Sequence, residues 1–111
     1  MTSAEERKGE NESFFRELNE RLERNAAEKH DDERTFQAVC ECAAEACTRR
    51  LSVSFAEYEW IRDDGARFIV AKRHADPQVE RIVKSASGYD VVEKLGQIAE
   101  VARDNDPRGD R

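Results

Sequence analysis

The stretch Cys40-Glu41-Cys42, with Cys47 five residues further on, places all three cysteines of this chain within eight residues. A disulfide framework uses cysteines in pairs, so one thiol would be left over. A zinc site has no such parity requirement, because a histidine can supply the fourth ligand of the tetrahedron. The chain offers two histidines, His30 and His74. The cysteine stretch therefore predicts a Cys₃His zinc site.

The spacing of the cysteines suits chelation of one ion. Cys40 and Cys42 project from the same face of the chain if the segment is extended. Cys47 can return to them across a short loop, and little loop entropy opposes the convergence of ligands this close in sequence. A local cluster of this kind still needs a distant fourth ligand to tie it to the rest of the fold.

His74 is predicted as that fourth ligand. It follows a predicted strand and precedes the Asp76-Pro77 turn, a position from which a side chain can reach back to the cysteines. His30 competes for the role, although it ends a predicted helix beside two aspartates, where an exposed histidine is equally expected. Water or a carboxylate could also complete the site. Three buried thiols without a metal remain the alternative, since free cysteine packs as a small hydrophobe.

The composition favours one small domain with a thin core. Of the 111 residues, 40% are charged and 38% are hydrophobic, so a bound metal would be a useful source of stability. The net charge of −6 argues against a nucleic-acid duplex as the main partner. Binding a polyanion requires a dense basic stripe, whereas the lysines and arginines here are interleaved with acidic residues.

The sequence also bears on the compartment. The N-terminal residues lack the apolar core of a signal peptide, and no later apolar run reaches the length of a membrane span. The sequence therefore predicts a cytoplasmic protein, in which thiols stay reduced. Reduced, closely spaced cysteines favour metal binding over disulfides.

Periodicity and turn residues predict an α+β fold, with an N-terminal amphipathic helix and a small, mainly antiparallel sheet that carries the structural zinc site. We divide the chain into a disordered leader, a single zinc-binding domain and a flexible tail, at residues 1–12, 13–103 and 104–111. The N-terminal helix is expected to begin with Ser13 as its N-cap and to end near Lys29.

The remaining elements follow from local patterns. Ser54 and Glu57 form a capping-box pattern, which predicts a short helix over 55–62. Alternating or β-branched runs predict strands, and a Ser/Gly turn between the last two predicts a hairpin. The predicted strands are 51–55, 67–71 and 89–94, preceded by an extended run at 36–40, and a final short helix is expected over 97–102. Residues 81–84 can form a further strand or, because Val79, Ile82 and Val83 share one helical face, part of a helix.

The N-terminal helix carries an apolar stripe at spacings of three and four residues. The stripe consists of Phe14, Phe15, Leu18, Leu22 and Ala26. It can pack on the sheet of the same chain, or it can dock on a protein partner or on a second copy through Phe14, Phe15, Leu18 and Leu22. Both interpretations stay open at this point.

From about Phe14 to Arg108 the chain resembles a group of short, uncharacterised actinobacterial proteins. The similar features are Phe15-Arg-Glu-Leu-Asn-Glu-Arg21, the three cysteines, Phe55-Ala-Glu-Tyr-Glu59, Phe68-Ile-Val-Ala71 with His74, and Tyr89-Asp-Val-Val-Glu-Lys94. The resemblance implies a compact protein with a Cys₃His site and no particular activity. This chain departs from the group in having Lys72-Arg73 before His74, where the group has Pro-Gly.

The function predicted from these observations is a small, cytoplasmic, zinc-stabilised interaction or regulatory module. The alternative is a zinc-thiolate redox sensor, in which two thiols form a disulfide and the metal is released. A small metal-dependent enzyme ranks third, because the chain lacks the Pro-Cys-x-x-Cys signature of zinc deaminases. In that third interpretation Glu41 would be the candidate base, although it is more simply the outward residue of a strand.

Overall fold

The computed structural model describes residues 4–29, 35–42, 47 and 49–108, which form three helices and five strands. The predicted α+β class with small antiparallel sheets is confirmed. In chain order the elements are α1 (Ala4–Lys29), β1 (Thr35–Val39), β2 (Arg50–Ser54), α2 (Phe55–Arg62), β3 (Arg67–Val70), β4 (Glu80–Ser85), β5 (Asp90–Lys94) and α3 (Gly96–Asp104).

The strands form two antiparallel sheets that meet at Glu41. One sheet pairs β1 with β2, and the other has the order β3-β5-β4. One residue beyond Cys40, the backbone N–H of Glu41 donates to the carbonyl of Ile69 at 2.8 Å. The Glu41 carboxylate accepts the N–H of the same Ile69 at 3.0 Å, so a side chain replaces a backbone acceptor at the junction. The cysteine stretch therefore connects the two sheets.

Alternation along β1 and β2 produces the buried face on which α2 packs. Phe36 of β1 lies opposite Val53 of β2, and both side chains are buried. The ring of Tyr58 in α2 meets the Phe36 ring edge-on, with 5.2 Å between centroids. Helix α2 begins where predicted, because the Ser54 hydroxyl accepts the N–H of Glu57 at 3.0 Å. The capping pattern was therefore read correctly.

Helix α1 is longer than predicted. It begins at Ala4, so Ser13 lies inside the helix and the prediction of Ser13 as N-cap is wrong. Residues 4–12, predicted as part of a disordered leader, are helical. Their Ala, Glu, Arg and Lys residues have high helix propensity, which agrees with this finding. The division of the chain into leader, domain and tail otherwise stays a prediction. At 26 residues α1 is the longest described helix, but neither it nor α2 or α3 is apolar enough to cross a membrane.

The face that α1 buries is more polar than its apolar stripe predicted. Leu22 and Ala26 pack against the core, whereas Phe14 is 61% exposed. Among the α1 side chains whose burial the structure describes, the fully buried ones are instead Arg16 and Asn19. Buried polar groups of this kind are stable only when their hydrogen bonds are satisfied by the surrounding structure. Asn19 bonds β1, and the two terminal nitrogens of Arg16 donate to backbone carbonyls, although its Nε atom is buried without a hydrogen-bond partner among the described residues.

An ionic cluster fixes α1 to α2 and to the residues after α3. Arg62 is fully buried and pairs with Glu20 at 3.1 Å and with Asp106. Arg108 donates to the same Glu20 oxygen at 2.6 Å and to the second oxygen at 3.0 Å, and it also pairs with Glu59 at 2.7 Å. Residues 104–111 were predicted as a flexible tail, but Asp106 is buried and its carboxylate pairs with Arg62. Residues 109–111 lie outside the described part of the chain.

Candidate metal centre

The structure brings the four predicted residues together. Cys40 directly follows β1, and His74 lies in a turn after β3. One ligand atom from each of Cys40, Cys42, Cys47 and His74 can be chosen such that all four lie within 4.8 Å of one another. The Nδ1 atom of His74 is 3.6 Å from the Cys40 sulfur and 3.5 Å from the Cys47 sulfur. This cluster could hold a metal ion. His30, the competing candidate, lies outside the described residues.

The surroundings of Cys40 favour a bound cation. Cys40 is 2% exposed, and its burial raises the pKa of the thiol well above the usual range. The backbone N–H of Ala71 donates to the Cys40 sulfur at 3.1 Å and lowers that pKa part of the way. A buried thiolate with one such donor still needs a positive partner, and a metal ion would supply it.

A tight turn aims His74 at the sulfurs. The backbone N–H of His74 donates to the carbonyl of Ala71 at 3.0 Å, which closes a four-residue turn. Arg73, the third residue of the turn, has a φ of 71°. A positive φ at this position is characteristic of a type II turn, in which Pro-Gly is the favoured central pair. Here Lys72 and Arg73 occupy these positions, and an ion pair between Lys72 and Asp90 at 2.8 Å holds the turn against β5.

Glu41, between two of the cysteines, has a role that the sequence did not reveal. It was expected to face solvent, but it is 1% exposed. Its carboxylate accepts the Ile69 N–H at 3.0 Å and the Asn19 side-chain N–H at 2.8 Å. Burial raises the pKa of Glu41, and the two hydrogen bonds oppose that rise. Because both oxygens are engaged on α1 and β3, Glu41 does not supply the free base that an enzyme would need.

Asn19 completes this clamp from α1. Its carbonyl oxygen accepts the Val39 N–H at 2.7 Å, and its amide N–H groups reach the Val39 carbonyl at 2.9 Å and Glu41. The cysteine stretch is thus held by α1 on one face while its sulfurs face the other. The only hint of this clamp in the sequence was the alternation around Cys40 and Cys42, which places Glu41 on the face opposite the sulfurs. The alternation did not show that α1 would cover that face.

The clamp gives a sharp prediction for Glu41→Gln. The Asn19 amide cannot flip, because both of its ends bond Val39. The glutamine N–H₂ would therefore face either the Asn19 or the Ile69 donor, and one buried hydrogen bond would be lost. We expect the free energy of unfolding to fall by about 1–3 kcal/mol and metal affinity to fall with it. Urea unfolding and chelator competition measure the two effects.

Glu93→Gln is the matched control, because the Glu93 side chain on β5 is partly exposed and its ion pair with Arg81 is long, at 3.8 Å. It should change the free energy of unfolding by less than about 0.5 kcal/mol. Equal effects of the two substitutions would show that the buried clamp does not hold the cysteine stretch.

Comparisons of the chain with protein-family models, curated proteins and solved structures found no match in any of the three. The resemblance to the short actinobacterial proteins therefore stays a prediction. The candidate site rests on the geometry of the four side chains alone.

Proposed function

We propose that the Cys₃His cluster binds one zinc ion, and that this ion makes the protein a small metal-stabilised interaction module. The observation that carries the proposal is the equal approach of two sulfurs to one histidine nitrogen, at 3.6 Å and 3.5 Å. Zinc bonds of about 2.3 Å to sulfur and about 2.05 Å to nitrogen give a tetrahedral S···N edge of about 3.55 Å. Both observed distances fit such an edge.

The donor set also points to zinc. Thiolates select soft or borderline ions, and a tetrahedral S₃N set is a structural zinc arrangement. An S–H···N hydrogen bond would explain one short contact to Nδ1, but a neutral ring nitrogen has one lone pair and does not explain two. With four protein ligands the coordination sphere is closed, so we infer a structural and not a catalytic ion.

The interaction role rests on what the site connects and on what it leaves exposed. The ligands come from the β1–β2 connection and from the turn after β3, so the ion would tie together the two sheets. Among the apolar side chains predicted as a partner surface, Phe14 is exposed while Leu22 packs on the core. A partner contact on α1 would therefore centre on Phe14. We place the protein in the cytoplasm, where its thiolates stay reduced.

A zinc-thiolate redox sensor is the second candidate. Cys42 and Cys47 are half-buried, whereas Cys40 is fully buried. A peroxide would therefore reach Cys42 or Cys47 first, and a disulfide between those two would remove two ligands and release the metal. Metal release that mild peroxide causes and a thiol reductant reverses would favour this function over a purely structural ion.

The test of the proposal is metal content together with His74→Ala. Protein purified under reducing conditions should carry about one zinc per chain. The His74→Ala variant should bind zinc at least about tenfold more weakly, because second-sphere changes alone already cost that much and a ligand is lost here. Competition with a chromogenic chelator measures the affinity.

His30→Ala serves as the control and should leave zinc affinity unchanged. A weaker affinity in His30→Ala with an unchanged affinity in His74→Ala would reverse the ligand assignment. Metal-free protein with three freely alkylated thiols in the folded state would refute the zinc site.

A further inference from the structure

Several basic residues lie near the Cys₃His cluster, although the protein as a whole is acidic. Arg49 and Arg50 enter β2 from the cysteine loop, and Lys72 and Arg73 directly precede His74. Arg49, Arg50 and Arg73 are exposed. We call Arg49 and Arg73 the basic rim, because Arg50 lies opposite Val39 and projects from the other face of its strand. The net charge of the whole chain is −6, so without the two rim cations the remaining residues carry −8.

Strand register places Arg49 beside the sulfurs. Val39 pairs with Arg50, and one step further the Cys40 N–H donates to the Arg49 carbonyl at 3.0 Å. Residues opposite each other in an antiparallel pair project from the same face, with Cβ atoms about 4.5–5.5 Å apart. Arg49 therefore extends from the face that carries the Cys40 sulfur. Arg73 directly precedes His74, whose Nδ1 atom lies 3.6 Å from the same sulfur.

The rim cations are free in the described part of the chain. Lys72 pairs with Asp90, but Arg49, Arg50 and Arg73 have no ion pair or side-chain hydrogen bond among the described residues. Arg73 moreover has a φ of 71°, a left-handed conformation that residues with a Cβ rarely adopt. Other arginines of the fold, such as Arg62 and Arg108, form ion pairs with carboxylates.

We propose that the basic rim binds a short acidic segment of a partner protein. Arginine presents a planar fork of donors that matches a carboxylate, and two unpaired arginines beside the cluster suit a short run of Glu or Asp. A nucleic-acid duplex suits the rim less well, because it would extend past the rim and meet the −8 of the remaining chain. A short peptide contacts the rim alone.

The proposal rests on the proposed function, because the metal would set the shape of the rim. The ion would join Cys40, which lies opposite Arg49, to His74, which follows Arg73. Metal binding would therefore fix the separation of these two arginines, which lie on different sheets. Peptide affinity should fall when the metal is removed, even though the charge of the rim itself is unchanged.

The experiment measures anisotropy of a fluorescein-labelled ten-residue Glu-rich peptide with zinc-loaded protein at low salt. The R49Q/R73Q variant should bind the peptide about tenfold more weakly. R21Q/R24Q is the matched control, since it removes the same charge from exposed positions of α1, and it should stay within about twofold of the parent. Chelated parent protein should also bind more weakly than the zinc-loaded protein.

Several results would overturn the proposal. Equal losses in the two double variants would show that only net charge matters, and tighter binding of a ten-nucleotide single strand would show a nucleic-acid site. Self-association that R49Q/R73Q abolishes would show that the rim meets the acidic surface of a second copy. The protein could carry zinc and melt at a higher temperature than its chelated form, yet bind no peptide. That result would refute peptide binding by the rim and leave the proposed function standing. Peptide binding by protein that carries no zinc would support the rim and refute the metal.

Discussion

Removal of the proposed zinc ion should lower the melting temperature of the protein by at least about 12 °C. Zinc acquired on folding contributes its binding free energy to stability, and the contribution is large in small domains with few apolar residues. A loss of about 3 kcal/mol corresponds to a shift of this size in a domain of about 100 residues. The ion would tie Cys40, at the end of β1, to His74, after β3, so its loss should loosen the two sheets from each other. Circular dichroism of zinc-loaded and chelated protein measures the shift.

Re-addition of zinc provides the control for this prediction and should restore the original melting temperature. A Cys40→Ser variant should melt at a low temperature with or without chelator, because the buried sulfur is a proposed ligand and also accepts the Ala71 N–H. An unchanged melting curve in protein whose metal-free state has been verified would refute the structural role of the ion.

The second large effect is expected for Arg62→Leu. Arg62 is fully buried, and its guanidinium pairs with Glu20 at 3.1 Å and with the buried Asp106. Leucine fills part of the volume but leaves two carboxylates with less positive charge beside them. Breaking a buried pair by removing one partner costs about 3–5 kcal/mol, so we expect a loss of that order in the free energy of unfolding. Denaturant unfolding of the zinc-loaded variant measures it.

Arg103→Leu is the matched control for this prediction. The Arg103 side chain is 47% exposed and pairs with Asp64 at 2.9 Å, so its loss should cost less than about 1 kcal/mol. A loss of similar size in both variants would show that the buried position of the Arg62 cluster adds nothing to its effect. Release of residues 105–108 in the Arg62 variant, seen as faster proteolysis after α3, would support the anchoring role of Asp106.

The amino-acid sequence determined the parts of this fold that depend on neighbours along the chain. Ser54 and Glu57 defined the start of α2, and alternation defined the strand that precedes it. The turn before Tyr89 defined the hairpin of β4 and β5. Cys40, Cys42 and Cys47 were grouped correctly because their sequence spacing leaves little distance to close, and the choice of His74 followed from its place after a strand. Each of these signals is local, so a single sequence contains it.

Only the tertiary structure decided which polar groups are buried. Glu41 was expected on the outward face of a strand and no local pattern singled out Asn19, yet the two side chains hold the cysteine stretch between α1 and β3. Asp106 belongs to the predicted flexible tail, yet it pairs with Arg62 across 44 residues of sequence. Periodicity assigns polar residues to solvent, because burying an unpaired charge is costly. An oppositely charged partner offsets much of that cost. When the partner is so distant along the chain, the local sequence pattern contains no sign of it.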